Sequence, residues 1–391
     1  MFMIEKALVG GKRYWAWLGA LAAVACLGAL AYSGQLEAGL GITGLSRDVS
    51  WGLYVAQFTF FVGVAASAVV VVLPYYLHDH RAFGRLTILG EFVAIAAVVM
   101  CSLFIFVDMG QPSRILNVLL HPAPRSMMFW DMLSLGGYLA LNIVITRVTL
   151  EAERNGSAPP GWIRPVIVLS IPWAISIHTV TAFLYSGLPG RSFWLTAVMA
   201  PRFLASAFAA GPALLVIVAL IVRRLTGFDA GREGIGKLAV AMAYALTVHV
   251  FLVLLELFTV LYSQVPEHVE HYRYLYMGLE GGWGLAPFLW LSSALAVAAL
   301  VVLLVPRLRR REPLLAAACA AVFVSLWLDK GLALVVGGFV PSPLGRVSGY
   351  LPTLPELGVT AGVWATGLIL LTVFVKIVTV VRSELRIGIE N

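Results

Sequence analysis

Long apolar runs, each closed by a short polar connector, repeat along almost the whole chain. A helix that crosses a bilayer needs roughly 20 apolar residues. Ten stretches meet that length, over 14–34, 51–77, 86–107, 128–149, 163–185, 201–222, 237–262, 284–305, 313–337 and 357–381. The pattern predicts an all-α polytopic membrane protein of ten transmembrane helices, one integral membrane domain over 1–391 with no soluble domain. Stretches two to five and six to nine run in the same directions, and each block opens on a small-residue helix, FVGVAASAVV or SAFAAGPALL, preceded by an aromatic and an arginine. We therefore expect two parallel-related four-helix bundles, 51–185 and 201–337, flanked by a first helix 14–34 and a last helix 357–381.

Composition agrees: 60% of residues are hydrophobic and 12% charged, about half the charged fraction of a soluble domain. The formal charge of +7 matters less than where the positive residues lie. Most of the 27 Lys and Arg residues fall on the N-terminal side and in every second loop, from Lys6, Lys12 and Arg13 to Lys376, Arg382 and Arg386. The opposite loops hold only Arg47, Arg114, Arg125, Arg191, Arg202, Arg273 and Arg346. The positive-inside rule then makes both termini cytoplasmic in an inner membrane. The run PRLRRRE abuts a span and reads as a membrane anchor, not a nucleic-acid patch. Basic residues before an apolar run that reaches Ala29 and Ala31 outline a cleavable signal, but its removal would leave nine spans and a less simple charge alternation. Cys26, Cys101 and Cys319 stand alone in apolar runs. With no CxxC or CxxCH, no iron–sulphur cluster or c-type haem is expected in this chain.

Ionisable residues inside hydrocarbon are costly and mark candidate chemistry. Asp108 follows the apolar run LFIFV directly and opens a connector that holds Arg114, His121 and Arg125 before Asp131. Gln57 lies about two turns into the second span, and His178 lies after Pro172 in the fifth. Glu91 sits near the cytoplasmic end of the third span. His249 and Glu256, seven residues apart on the seventh span, should point the same way. Asp329 and Lys330 diverge by about 100° on the ninth span, so Lys330 should pair with an acid on another helix. Cys26, Cys101 and Cys319 read as packing residues, and His268 and His271 as solvated loop side chains. Two function classes fit such a set on the residues alone: a secondary transporter using the buried Asp, Lys, Glu and His residues, and a di-haem cytochrome b ligated by His178 and His249.

The segments GITGLSRDVSWGLYVAQFTFFVGVAASAVVVVLPYYLH, DMGQPSRILNVLLHPAPRSMMFWD, IPWAISIHTVTAFLYSGLPGRSFW and PTLPELGVTAGVWA carry a resemblance that spans nearly the whole chain. They resemble the NrfD/PsrC family of quinone-interacting membrane subunits, in its ten-span branch of the Dsr-complex and high-molecular-weight cytochrome-complex types. The resemblance implies electron exchange between menaquinone or ubiquinone and a periplasmic-side ferredoxin-like iron–sulphur subunit linked to a multihaem cytochrome c. It also admits a further membrane cytochrome b and cytoplasmic iron–sulphur subunits. It implies a subunit without metal, serving anaerobic respiration and sulphur metabolism. By position, the quinone pocket falls on Asp108, His178 and Gln57, with Arg114 and Asp48 at its mouth. Glu91, His249, Glu256, Asp329 and Lys330 would form a path for proton translocation. Shorter family members use a His and an Asn on their first span, and Leu18 to Tyr32 contains neither here.

Overall fold

Among the described residues, ten helices are long and apolar enough to cross a membrane. In chain order these spans are Lys12–Ala38, Leu53–His78, Arg81–Asp108, Met127–Arg154, Ile163–Ser186, Met199–Thr226, Arg232–Ser263, Ala286–Leu304, Glu312–Gly337 and Leu354–Val381. The computed structural model describes residues 3–78, 80–279 and 282–390, with residues 3–4 and 382–390 as backbone alone. Arg382 and Arg386 of the charge pattern thus lie outside the described side chains, as does Glu280 of the loop after span seven. The chain is a multi-pass, all-α membrane protein. Ten alternating spans bring both ends to one face, where Ala7 packs against Ile377 and Val381; we call it the terminal face, and its opposite the distal face.

Span two is the spine. Protein buries 94% of its apolar window, against 11% for span one at the edge. Span two packs on span three, four on five and three on four, and the same neighbour order recurs among spans six to nine. The blocks meet where span two lies against spans six and nine. Small residues bring these backbones together. A Cβ on Gly211 of span six would come 2.8 Å from the Ser67 nitrogen, and one on Gly90 of span three 3.2 Å from the Ser67 carbonyl oxygen. Span two breaks at this crossing, after Ala65, and the Tyr138 hydroxyl donates to the Ala65 carbonyl at 3.2 Å. A freed backbone acceptor in a bilayer needs such a partner.

Spans one and ten, far apart in sequence, pair with each other and lean on span three. Their contact is glycine on glycine, since a Cβ on Gly28 would meet the Gly362 Cα at 2.5 Å. On the distal face Glu356, fully buried at the start of span ten, accepts from the Gly44 N–H at 2.7 Å, the Thr353 N–H at 2.8 Å and the Tyr350 hydroxyl at 2.8 Å. That hydroxyl in turn accepts from the Leu53 N–H at 2.7 Å. Burial, and then the Glu356 charge, push the Tyr350 phenol far above its ordinary range, so it remains a donor. Residues 339–353 run over this face without regular helix, as their prolines require. Cys101 and Cys319 are buried packing residues, and Cys26 is exposed on span one.

The segment after span seven departs from expectation. Instead of a solvated loop, Pro266–Tyr276 is an amphipathic helix that buries Val269, His271, Tyr274 and Leu275. His271 is not solvated: its Nδ1 stands 2.9 Å from both the Gly337 and Val340 carbonyls, which fixes the proton on that nitrogen. Burial chiefly, with His268 and Arg191 adding to it, holds this imidazole below its ordinary value of 6.5 despite the two acceptors. A depressed folded value means that docking is supported above the unfolded value and loses that support as pH falls through the folded one. Amide exchange over 266–276 is therefore expected to rise as pH drops from about 7.5 to about 5, once intrinsic exchange rates are corrected for. His271→Gln should flatten that dependence, and an unchanged pH response in the variant would count against this account.

Candidate functional site

The interior of the first block gathers polar groups from three spans near its distal end. Asp131, on the first turns of span four, accepts from the Thr181 hydroxyl of span five at 2.6 Å. His178 lies one turn before Thr181 and Tyr185 one turn after it, so all three share a face. Tyr185 pairs with the Thr59 hydroxyl of span two. The Trp51 and Trp194 rings stand 5.5 and 5.0 Å from the Tyr185 ring and roof the group. His178 is 0% exposed, and neither of its ring nitrogens has a hydrogen-bond partner. A neutral imidazole carries one donor and one acceptor. Leaving such a buried group unpaired costs about 1–3 kcal/mol apiece, which a ligand oxygen placed there would recover.

The other residues read as the quinone set are dispersed. Gln57 and Thr59, two residues apart, point to nearly opposite sides of span two. The Gln57 side-chain oxygen accepts from the Trp327 indole at 3.0 Å and the Trp364 indole at 3.2 Å, so it faces spans nine and ten, away from His178. Asp108 ends span three with one carboxylate oxygen buried and unpartnered. It lies among spans one, two and three, where Tyr54 donates to Gln35 at 2.7 Å and Gln35 to the Val107 carbonyl at 2.6 Å. Asp48 accepts from Ser348 at 3.1 Å in the distal loops, and Arg114 is exposed.

A second cluster occupies the other block. Arg202 of span six donates to Glu256 of span seven at 2.7 Å and to Asp329 of span nine at 2.8 Å. His249 Nε2 stands 3.2 Å from the second oxygen of Asp329, within ion-pair reach but outside hydrogen-bond geometry, and its Nδ1 has no partner. His249 and Glu256 thus do share a seam, through Arg202 and Asp329 rather than directly. A cavity of about 10 Å³, room for one water, lies between this cluster and the Tyr272 and Tyr276 rings of the short helix above it.

Two expectations need correction. Arg202 does not belong to the outward loop; it is 8% exposed and forms the hub of the ion cluster. Among the described residues Lys330 has no acid partner. Its Nζ lies 3.5 Å from the Phe203 carbonyl and 4.2 Å over the Phe203 ring, in the space that Gly63 of span two leaves open. The cause is a π-turn over Trp327–Ala333, whose extra residue aims Asp329 into the second block and Lys330 toward the boundary between the blocks. There Lys330 is in electrostatic reach of His178 on one side and of Arg202 and Asp329 on the other. Glu91 stands apart, accepting from Thr146 at 3.1 Å between spans three and four. His178 and His249, the pair a b-type haem would need, belong to different blocks.

Thr59, Thr181 and Tyr185 carry no signal in the sequence, Arg202 reads there as a loop cation, and Asp131 reads only as the end of a connector. Asp131 had a signal, since like Asp108 it abuts an apolar run. So had Arg202, which lies inside APRFLASAF, directly against apolar sequence.

Comparison with known proteins narrows the chemistry. The family model described as polysulphide reductase, NrfD, matches residues 41–340. The chain is 30% identical over 375 residues to a dimethyl sulfoxide reductase membrane subunit of Halobacterium salinarum, covering 90% of this chain and 83% of that protein. It is 20% identical to a selenate reductase subunit of Mesobacillus selenatarsenatis, over 93% of this chain and 94% of the relative. It is 25% identical to an Hdr-like menaquinol oxidoreductase integral membrane subunit of Archaeoglobus fulgidus, over 59% of this chain and 56% of the relative. All three are subunits of reductase or oxidoreductase assemblies, so catalytic partner subunits are implied here as well. The chain belongs to the NrfD family, membrane subunits of quinone-linked oxidoreductase complexes.

Proposed function

We propose that this subunit exchanges electrons between a membrane quinone and a redox protein docked on its distal face, and that the quinone head group is held beside His178 and Asp131. The observation that carries the reading is the wholly buried His178 ring with both nitrogens unpartnered, next to the Asp131–Thr181 pair. One nitrogen can donate to a head-group oxygen while the other accepts a proton. Oxidation of a quinol gives up two protons and two electrons. His178 takes one proton and Asp131 the other, and the electrons leave to the partner. Asp108, apart from this cluster but with one buried, unpartnered oxygen, would pass protons onward. Menaquinone and ubiquinone both offer the required carbonyls; the menaquinol oxidoreductase relative favours the former.

The block 51–185 would then be the quinone unit and 201–337 its parallel repeat, with Arg202 added to the path of His249, Glu256, Asp329, Lys330 and Glu91 for coupled proton movement. The connector after span three is the docking surface for a ferredoxin-like iron–sulphur subunit that serves a multihaem cytochrome c. It exposes Leu116, Leu119 and Leu120 beside Arg114 and Arg125, a mixture of apolar and basic groups suited to a partner. In this reading the distal face is periplasmic and both termini are cytoplasmic.

A photoactivatable quinone added to the membrane-embedded complex tests the location. Labelling that natural quinone suppresses is expected in peptides containing Asp131 and His178. Suppressible labelling confined to 199–337, or none at all, would overturn the assignment.

A further inference from the structure

The terminal face carries a groove that electron transfer does not use. It has a volume of about 530 Å³ and lies among the ends of spans six and seven and the connector from span eight to span nine. Five basic side chains and two carboxylates line it. The carboxylates are committed: Glu312 binds Arg223, and Glu233 binds Lys237 at 2.8 Å. Arg232, Arg309 and Arg310 are left without a carboxylate among the described residues, although Arg309 also donates to the Leu303 carbonyl.

Three uncompensated guanidinium groups at one opening call for an anion with several oxygens, since the planar fork of arginine matches phosphate. The rest of the lining is Gly236 with Leu220, Ile235, Val240 and Leu315, which belong to the spans themselves. Beyond the groove the helix surfaces continue as Ile221, Leu225 and Tyr244, all exposed where the bilayer would lie. A soluble anion would gain nothing from those walls, whereas acyl chains would.

We propose that this groove binds a phospholipid with two phosphate groups, the phosphates on Arg232, Arg309 and Arg310 and the acyl chains along spans six and seven. Basic recesses between spans take such head groups. The site stands whether or not a quinone binds at His178.

The test is native mass spectrometry of the full chain purified in mild detergent, with cardiolipin or phosphatidylethanolamine added, and separately with cardiolipin in excess pyrophosphate. Cardiolipin is expected to remain bound under activation that strips phosphatidylethanolamine. Combining Arg232→Gln with Arg310→Gln should cut its retention at least tenfold, while Arg154→Gln with Arg164→Gln, elsewhere on the terminal face, should not. Elution as one species and an unchanged melting temperature show that the first variant is folded. Equal retention of both lipids, or full retention in the folded groove variant, would overturn the proposal. Displacement by pyrophosphate would assign the site to a soluble phosphate compound, and a polypeptide lost only from the groove variant would assign it to a protein partner; either result overturns the lipid.

Discussion

Replacing Arg202 by leucine is expected to destabilise the protein by about 3–5 kcal/mol, because it strands two buried carboxylates that one guanidinium now satisfies. Glu256 and Asp329 are 9% and 7% exposed, so water does little to compensate them. Arg202→Lys should fall between, since a single ammonium cannot bridge two carboxylates on different helices as the fork of arginine does. Neutralising the whole set, Arg202→Met with Glu256→Gln and Asp329→Asn, should restore most of the loss, because no carboxylate of the cluster is then left buried without its guanidinium. Melting temperatures in detergent decide the matter. An Arg202→Leu protein as stable as the parent would mean that the cluster is hydrated. The rescued triple variant also separates architecture from proton movement: if the cluster relays protons, it will fold normally yet fail to acidify or alkalise vesicles during quinol oxidation.

The ten spans were legible because the cost of exposing backbone to lipid forces long uninterrupted apolar runs, and a count of those runs is nearly a count of helices. Burial along each run was not legible. Span two, sheathed in protein, and span one, facing lipid, have mean hydropathies of 2.2 and 1.7, since lipid and protein interior accept similar side chains. Direction failed for a related reason. Helical spacing gave the angle between Asp329 and Lys330 but not the neighbour each would meet, and the π-turn that sets both leaves no periodic trace. Gln57 enters the quinone set only through the family resemblance; its place in the span favours an interhelical hydrogen bond, which it makes, yet nothing in its own segment announces Trp327 and Trp364, some 270 and 307 residues away. The helix Pro266–Tyr276 hid because its polar face dominates its composition, while its apolar face covers the distal end of one block. His178 was identifiable from the expense of an imidazole in hydrocarbon; its companions Thr59 and Thr181 were not, since a hydroxyl can satisfy itself on its own helix.

His178→Ala and His178→Phe are expected to leave folding intact and to cut quinol-dependent reduction of the redox partner by about 10²–10⁴-fold, the usual worth of a positioned acid–base group. The stability half of this prediction follows from the missing partners. Among the described residues no ion pair or hydrogen bond is lost with the ring, so a purely structural histidine here would be a net cost, and phenylalanine of similar volume should match or exceed the parent's melting temperature. The activity half follows from the same fact read the other way, because a buried imidazole without a protein partner is a standing cost that a bound head group would offset. Asp131→Asn, which keeps shape and the Thr181 contact but not the charge, should retain quinone photolabelling and lose turnover. The measurement is quinol oxidation by the assembled complex, with partner-to-acceptor electron transfer checked separately using an artificial donor. Parental turnover in a folded His178→Phe complex would remove this ring from the chemistry and return Asp108, a half-buried carboxylate of the same block with one buried, unpartnered oxygen, as the next residue to test.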